Sequence, residues 1–207
     1  TRSAVVRITP AISLEPMYND LEFGSNKNFA DRCDTNPNIF QFEHHYSLYS
    51  YTITIDLDRI GRDENDNIDL EPKIKSERVC NVLEVLKVLN RDIKGRTEIL
   101  NPLFAIGGLY NVKNPFFLNK IKVNYNKEKK AYSLNTEILQ STMALSFNNE
   151  KVGDNTIIGY IKGFWLNEEE FGKLCGKVFD NTGEFFDTMK EKVKEYYKNL
   201  GTSHEST

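Results

Sequence analysis

The sequence predicts an α+β fold, and three observations carry that reading. Apolar residues alternate along residues 39–57, as in a long strand. They recur at helical spacing over residues 76–92 and again over residues 182–200. In chain order the runs read strand, long insertion, strand pair, helix, strand, hairpin, which is an α+β order. The strand-strand-helix-strand part matches the later portion of a ferredoxin-like βαββαβ unit, whose opening strand and helix would precede Thr1.

The first strand is expected at residues 4–8, with Val5, Val6 and Ile8, and Pro10 bounds it. Residues 13–37 hold Pro16, Gly24, Pro37 and several Asn and Asp, so a long insertion loop is expected there. In residues 39–57, Phe40, Phe42, Tyr46 and Leu48 share one parity, and Tyr49, Tyr51, Ile53, Ile55 and Leu57 share the other. A regular strand cannot change parity without turning its apolar face outward, so a bulge or break is expected at Leu48 and Tyr49. Phe40, Phe42 and Tyr46 are read as core. An acidic loop follows at residues 63–71.

The helix over residues 76–92 carries a stripe of Val79, Val82, Leu83, Leu86, Leu89 and Ile93, with Ser76 as N-cap and Gly95 as stop. Residues 103–112 read as a buried strand whose Gly107 and Gly108 imply a bulge or a close backbone approach. Residues 120–145 read as a hairpin with the polar tip 126–130, and residues 156–165 as another strand. The last helix is expected over residues 182–200, ended by Gly201, with a disordered tail beyond.

At 39% apolar and a net charge of −3, wholesale disorder is excluded. No run of 18 apolar residues exists, so no membrane-spanning helix and no membrane partner are expected. The start has no hydrophobic signal segment and no Met, which points to a processed chain or a fragment. Cys33, Cys80 and Cys175 are widely spaced, as in a reduced, cytoplasmic protein. The modest net charge hides an asymmetry. Residues 73–130 carry 13 basic and 5 acidic side chains, a net +8 inside an acidic chain. On one face these charges would attract a polyanion; otherwise they are a solvated surface balanced by acidic neighbours.

Few residues offer catalysis. His44 and His45 are adjacent on a strand and point to opposite faces, so they do not chelate one metal. No P-loop, GxGxxG or GxSxG is present, and no metal or cofactor is expected. The segment 90–96 is more informative, with Arg91, Lys94 and Arg96 at the expected helix C-terminus. These cations either complement the helix dipole or form a phosphate-binding turn, for which Gly95 permits close approach. Arg2 and Arg7 flank the first strand as a second candidate pair, and His45 is a weaker candidate for an RNA phosphate.

Three ordered strings add a resemblance. They are residues 2–16 (RSAVVRITPAISLEP), residues 38–58 from NIFQFEHH to YTITIDLD, and RDIKGR at 91–96 followed by PLFAIGG at 102–108 and NPFF at 114–117. The chain resembles, from Arg2 to at least Phe117, the DevR/Cst-type backbone subunit of type I-B CRISPR effector complexes. The resemblance implies a modified RNA-recognition-motif palm, here lacking its first strand and helix. The organisation then expected is one incomplete domain: palm at 1–12 and 38–112, insertion loop at 13–37, and a C-terminal hairpin, strand and helix extension at 113–207. It also implies a non-catalytic subunit that polymerises along the CRISPR guide RNA, gripping its backbone without reading sequence. Its partners would be the guide RNA, further copies of itself, other effector-complex subunits and, through the guide, target DNA. RNA-binding residues would be Arg2, Arg7, His45, Arg91, Lys94 and Arg96. The competing expectation is a protein-interaction scaffold without direct RNA contact, whose basic residues are paired with the loop 63–71. An RNA-processing enzyme is the remaining class, and the sequence offers it no nucleophile motif or metal signature.

Overall fold

The structure, a computed structural model, describes residues 3–17, 20–93 and 95–204, with side chains described as far as Gly201. In chain order it begins with β1 (Val6–Ile8), β2 (Ile12–Ser13), β3 (Asp20–Ser25), α1 (Lys27–Arg32), β4 (Ile39–His44), β5 (Tyr49–Ser50) and β6 (Ile53–Ile55). A 3-10 turn at Leu57–Arg59 leads to β7 (Arg62–Asp63), β8 (Ile68–Asp69), α2 (Pro72–Lys87), β9 (Asn90–Ile93), β10 (Arg96–Ile99) and β11 (Phe104–Gly108). The remainder is β12 (Val123–Asn126), β13 (Ala131–Leu134), α3 (Thr136–Met143), β14 (Ser146–Phe147), β15 (Glu150–Lys151), α4 (Val152–Asn155), β16 (Thr156–Tyr160), a 3-10 turn at Glu168–Lys173, β17 (Val178–Phe179) and α5 (Thr182–His204). Helices and small, mostly antiparallel sheets make this an α+β protein. The chain divides into two compact units, Thr1–Thr9 with Thr52–Thr207, and Pro10–Tyr51.

In the larger unit, β16 is the middle strand of a three-stranded sheet, antiparallel to β11 and parallel to β17. Its Thr156, Ile157, Ile158 and Gly159 are all buried, and of these Ile157 and Gly159, two apart and so on one face, lie against α5. Phe185 of α5 occupies the space above Gly159, where an added Cβ would collide with the Cβ of Phe185. Helix α2 packs on α5. Ile60, Val79, Leu83, Ile157, Phe185, Phe186, Val193 and Tyr197 form the core between these layers. Fully burying a side chain of this size contributes about 1.5–3 kcal/mol. The Tyr197 hydroxyl donates to the Leu57 carbonyl at 2.7 Å, so its polar end is satisfied inside the core. The glycine expectation for residues 103–112 holds at Gly108, where a Cβ would collide with the Asn155 carbonyl.

Three helices differ from the sequence expectation. Helix α2 starts at Pro72, a residue whose missing N–H costs nothing at a first helical position. Ser76 is therefore a buried residue inside the helix rather than its cap. The helix ends at Lys87, and residues 90–93 leave it as a strand. Residues 136–143, expected as a returning strand, form α3, capped by Asn135, whose side chain accepts from the Ile138 N–H at 3.3 Å. Finally, α5 runs through Gly201 to His204. Residues 205–207 of the expected tail lie outside the described residues.

The smaller unit, Pro10–Tyr51, contains the residues expected as a loop at 13–37 together with part of the expected long strand. It is not irregular. Strands β3 and β4 pair over six registers, from Asp20 with His44 to Ser25 with Ile39, and α1 fills the connection. The break expected at Leu48 and Tyr49 is present: β4 ends at His44, and β5 begins at Tyr49 with a new partner, β2. The Ser47 hydroxyl and the Leu48 N–H both donate to the Glu15 carboxylate, at 3.1 and 3.4 Å, which pins the crossing. The core expectation for this segment fails. Tyr46 is 100% exposed, Phe40 is 39% exposed, and Phe40 and Phe42 pack ring to ring at 5.0 Å on a two-stranded ribbon. A two-stranded ribbon has no second layer to cover its face.

Candidate nucleic-acid interface

The best-defined cation site is the β9–β10 hairpin. Helix α2 stops at Lys87, and the chain turns back on itself through Gly95 at φ +75°, a conformation that favours glycine. The antiparallel register sets Arg91 opposite Glu98 and Ile93 opposite Arg96. Side chains two apart on a strand share a face, so Arg91, Ile93, Arg96 and Glu98 all leave from one face of the hairpin. Asp92 and Thr97 occupy the other and are hydrogen-bonded at 2.5 Å. The cations expected at a helix C-terminus are therefore carried by a hairpin, and the helix-dipole account does not apply to them.

Arg91 is exposed, and its Nε donates to the Glu98 carboxylate at 2.6 Å. Arg96 is exposed and engaged in an interaction of its own. Arg7 lies on β1, opposite Thr54 of β6, with its Nε at 3.4 Å from the Ala4 carbonyl. His45 follows β4 in the smaller unit, where its Nδ1 hydrogen-bonds the Tyr49 hydroxyl at 2.7 Å and its ring meets that of Tyr49 edge-on. His44 is paired with Glu22 at 3.0 Å. Arg2 and Lys94 lie outside the described residues. Of the six expected contacts, the structure brings Arg91 and Arg96 together on one face; Arg7 sits on a different strand pair and His45 in the other unit.

The basic stretch is only partly neutralised. Lys87 pairs with Asp187 at 3.0 Å, Lys113 with Asp56 at 2.8 Å, and Lys75 with Asp69. Of the ion pairs just named, only that of Lys75 reaches the acidic loop 63–71. Lys122, Lys127, Lys129 and Lys130 are exposed around the β12–β13 hairpin and make no ion pair with a described residue. The sequence reads that tip as a polar turn, and the signal for a cation cluster there is five lysines in residues 120–130 around Tyr125.

Nothing in the described residues gathers three or more His, Cys, Asp or Glu side chains into a metal-binding group. The cavity beside α2, about 170 Å³, is lined by Val5, Val6, Ile55, Ile60, Val79 and Val82 with Arg78. It is apolar apart from one cation. No helix among the described residues is long and apolar enough to cross a membrane.

Fold and site thus define a mixed α+β protein that displays arginines on a hairpin face and lysines on a hairpin tip. The chain belongs to a CRISPR-associated family: the family model described as CRISPR-associated negative auto-regulator DevR/Csa2 matches residues 1–132. That range contains both hairpins, apart from Ser133 and Leu134 at the end of β13. No curated protein and no solved structure matches the chain.

Proposed function

We propose that this chain is a non-catalytic, RNA-binding backbone subunit of a CRISPR effector complex that serves antiviral defence in the cytoplasm. The observation that carries this reading is the shared hairpin face of Arg91 and Arg96, inside the range matched by the CRISPR-associated family. Arginine forks suit phosphate oxygens, and a backbone grip needs cations and donors rather than base-edge readers. The net +8 of residues 73–130 supplies the long-range attraction. In this reading the subunit oligomerises along the guide RNA, contacts other effector subunits, and meets target DNA through the guide. The framework in this reading is a ferredoxin-like, RNA-recognition-motif palm, as the family resemblance implies.

The test is a salt titration of RNA binding. The chain and its Arg91→Ala, Arg96→Ala double variant are titrated with unstructured RNAs of different sequence. Losing two phosphate contacts to a single strand lowers the log–log salt slope by about 1.4 and weakens all sequences alike. An unchanged slope overturns the assignment.

A second reading, a protein-interaction scaffold without direct RNA contact, draws on the β3–β4 ribbon. Phe23 is 69% and Ile39 82% exposed on one face of it. Large exposed apolar side chains gathered on one surface mark interaction sites. This reading expects the double variant to leave RNA binding absent in both forms.

A further inference from the structure

The β12–β13 hairpin has a composition and a geometry that neither the fold nor the Arg91 site uses. Its loop holds Lys127, Lys129 and Lys130, all exposed, and Lys122 stands exposed just before β12. Residues 120–132 contain five lysines against one acidic residue, Glu128. A lysine tip on a hairpin is by itself an ordinary solvated turn. Two further observations set this one apart.

The first is that the tip is held in shape. The Asn126 side chain accepts from the backbone N–H groups of Glu128 and Lys129, at 3.0 and 2.9 Å. Lys130 closes the turn in the left-handed region at φ 48°. The loop therefore presents its ammonium groups from a fixed backbone.

The second is a row of aromatic rings leading from the core to the tip. Phe171, fully buried, packs at 6.5 Å from Trp165, whose indole N–H donates to the Leu103 carbonyl at 3.3 Å. Trp165 touches Phe164 at 5.0 Å, and Phe164 is stacked on Tyr132 at 5.9 Å with an interplanar angle of 8°. Tyr132 meets its register partner Tyr125 at 5.0 Å. Tyr125 ends the row, and it is 46% exposed. An exposed tyrosine held in register next to unpaired lysines combines a π-face with positive charge. That is the chemistry of a surface for unpaired bases on a phosphate backbone.

We infer that the β12–β13 hairpin is a second nucleic-acid surface, specific for single strands, in which Tyr125 stacks on a base and Lys127, Lys129 and Lys130 hold the flanking phosphates. It extends the proposed function to a site apart from Arg91 and Arg96, and rests on that reading only in taking nucleic acid as the partner. The lysines alone would bind single strands and duplexes alike. The tyrosine is what makes the surface discriminate, because paired bases inside a duplex do not offer their faces.

The experiment measures fluorescence anisotropy of labelled 12-nucleotide probes with the whole chain. The probes are one unstructured sequence as RNA, the same sequence as DNA, and the corresponding duplexes. Tyr125→Ala is expected to weaken single-strand binding at least fivefold, in the RNA arm, the DNA arm or both, with duplex binding unchanged. Tyr125→Phe, which keeps the π-face, is expected to stay within about twofold of the parent. Replacing Lys127, Lys129 and Lys130 by Ala lowers the single-strand salt slope by about 2. The Arg91→Ala, Arg96→Ala variant separates the two sites: if it binds like the parent while Tyr125→Ala is weakened, the hairpin inference stands and the arginine site falls. Equal loss on single strands and duplexes, or no loss on any probe with Tyr125→Ala, overturns the inference. Lysine substitutions that leave nucleic-acid binding intact but abolish binding to a polyglutamate probe overturn it in favour of an acidic-protein surface.

Discussion

Arg91 is the clearest case of what one residue's neighbours decide. Its guanidinium is within hydrogen-bond distance of Glu98, across the β9–β10 register. An exposed pair of this kind contributes only about 0.2–1 kcal/mol to stability. It does, however, occupy donors that a phosphate would use. Glu98→Gln keeps the size and removes the charge. It is expected to tighten RNA binding about twofold to fivefold with the salt slope unchanged, because the number of phosphates neutralised stays the same, as read by titration across salt concentrations. Unchanged or weaker binding would show that Arg91 is a partner of Glu98 and not of RNA. The cations themselves were legible in the sequence, since charge is a property of residue type. Their partners were not, because the pairing of Arg91 with Glu98, or of His45 with Tyr49, follows from register and turn geometry. Phe40, Phe42 and Tyr46 make the same point from the apolar side: alternation predicted a strand correctly and a buried face wrongly, because alternation does not reveal whether a second layer covers it.

Among elements, the pair α2 and α5 shows why helix stripes are dependable and helix ends are not. Val79 and Leu83 on α2, with Phe186, Val193 and Tyr197 on α5, fall at the spacing read from sequence, and they are buried. The stripe also extends in sequence to Leu89, past the helix end, and to Ile93, where the chain has become a hairpin; Gly95 reads as a helix stop and is a hairpin turn. Along the rim of the helix pair runs an ion network absent from any sequence expectation. Lys190 on α5 contacts Asp187 at 2.8 Å and also Glu84 on α2, while Lys87 on α2 contacts Asp187 at 3.0 Å. The hydrogen bonds from Lys190 and then Lys87 hold the Asp187 carboxyl below its ordinary range. A carboxylate with a lowered folded pKa adds stability above its unfolded value, and loses it as pH falls through the folded value. Asp187→Asn should therefore lower the thermal midpoint at pH 7 by an amount worth at most about 1 kcal/mol, since the group is largely exposed. The difference from the parent should shrink as pH is taken well below 4, where Asp187 is protonated in both states. Melting curves at neutral and acid pH measure it, and a difference that persists in acid would mean the network is held by packing rather than charge.

At the scale of the whole molecule, the two compact units differ in how much they bury. The larger unit has a sheet strand, β16, with four successive buried residues, one face of it against α5. Among the described residues of the smaller unit the buried hydrophobic side chain is Ala30, while Phe23, Phe29, Ile39 and Tyr46 are all more than half exposed. The sequence showed a distinct segment, but as a loop at 13–37 inside one domain. The boundary at Tyr51 was not legible, because the strand signal ran on through it, and β5 and β6 belong to different units despite their single parity. Local opening free energy follows buried apolar contact, so amide protection should divide along the same line. Hydrogen exchange of the whole chain is expected to show β16 and the buried face of α5 as the slowest amides, opening only with global unfolding. The β3 and β4 amides, although hydrogen-bonded to each other over six registers, should exchange orders of magnitude faster. Adding RNA then separates the functional readings at this scale. A backbone subunit gripping RNA through β9–β10 gains protection at that hairpin, while the ribbon stays fast unless another protein surface covers it. Slow exchange in β3 and β4 of the free chain would mean that the ribbon is already covered, and would remove the exposed apolar face on which the scaffold reading depends.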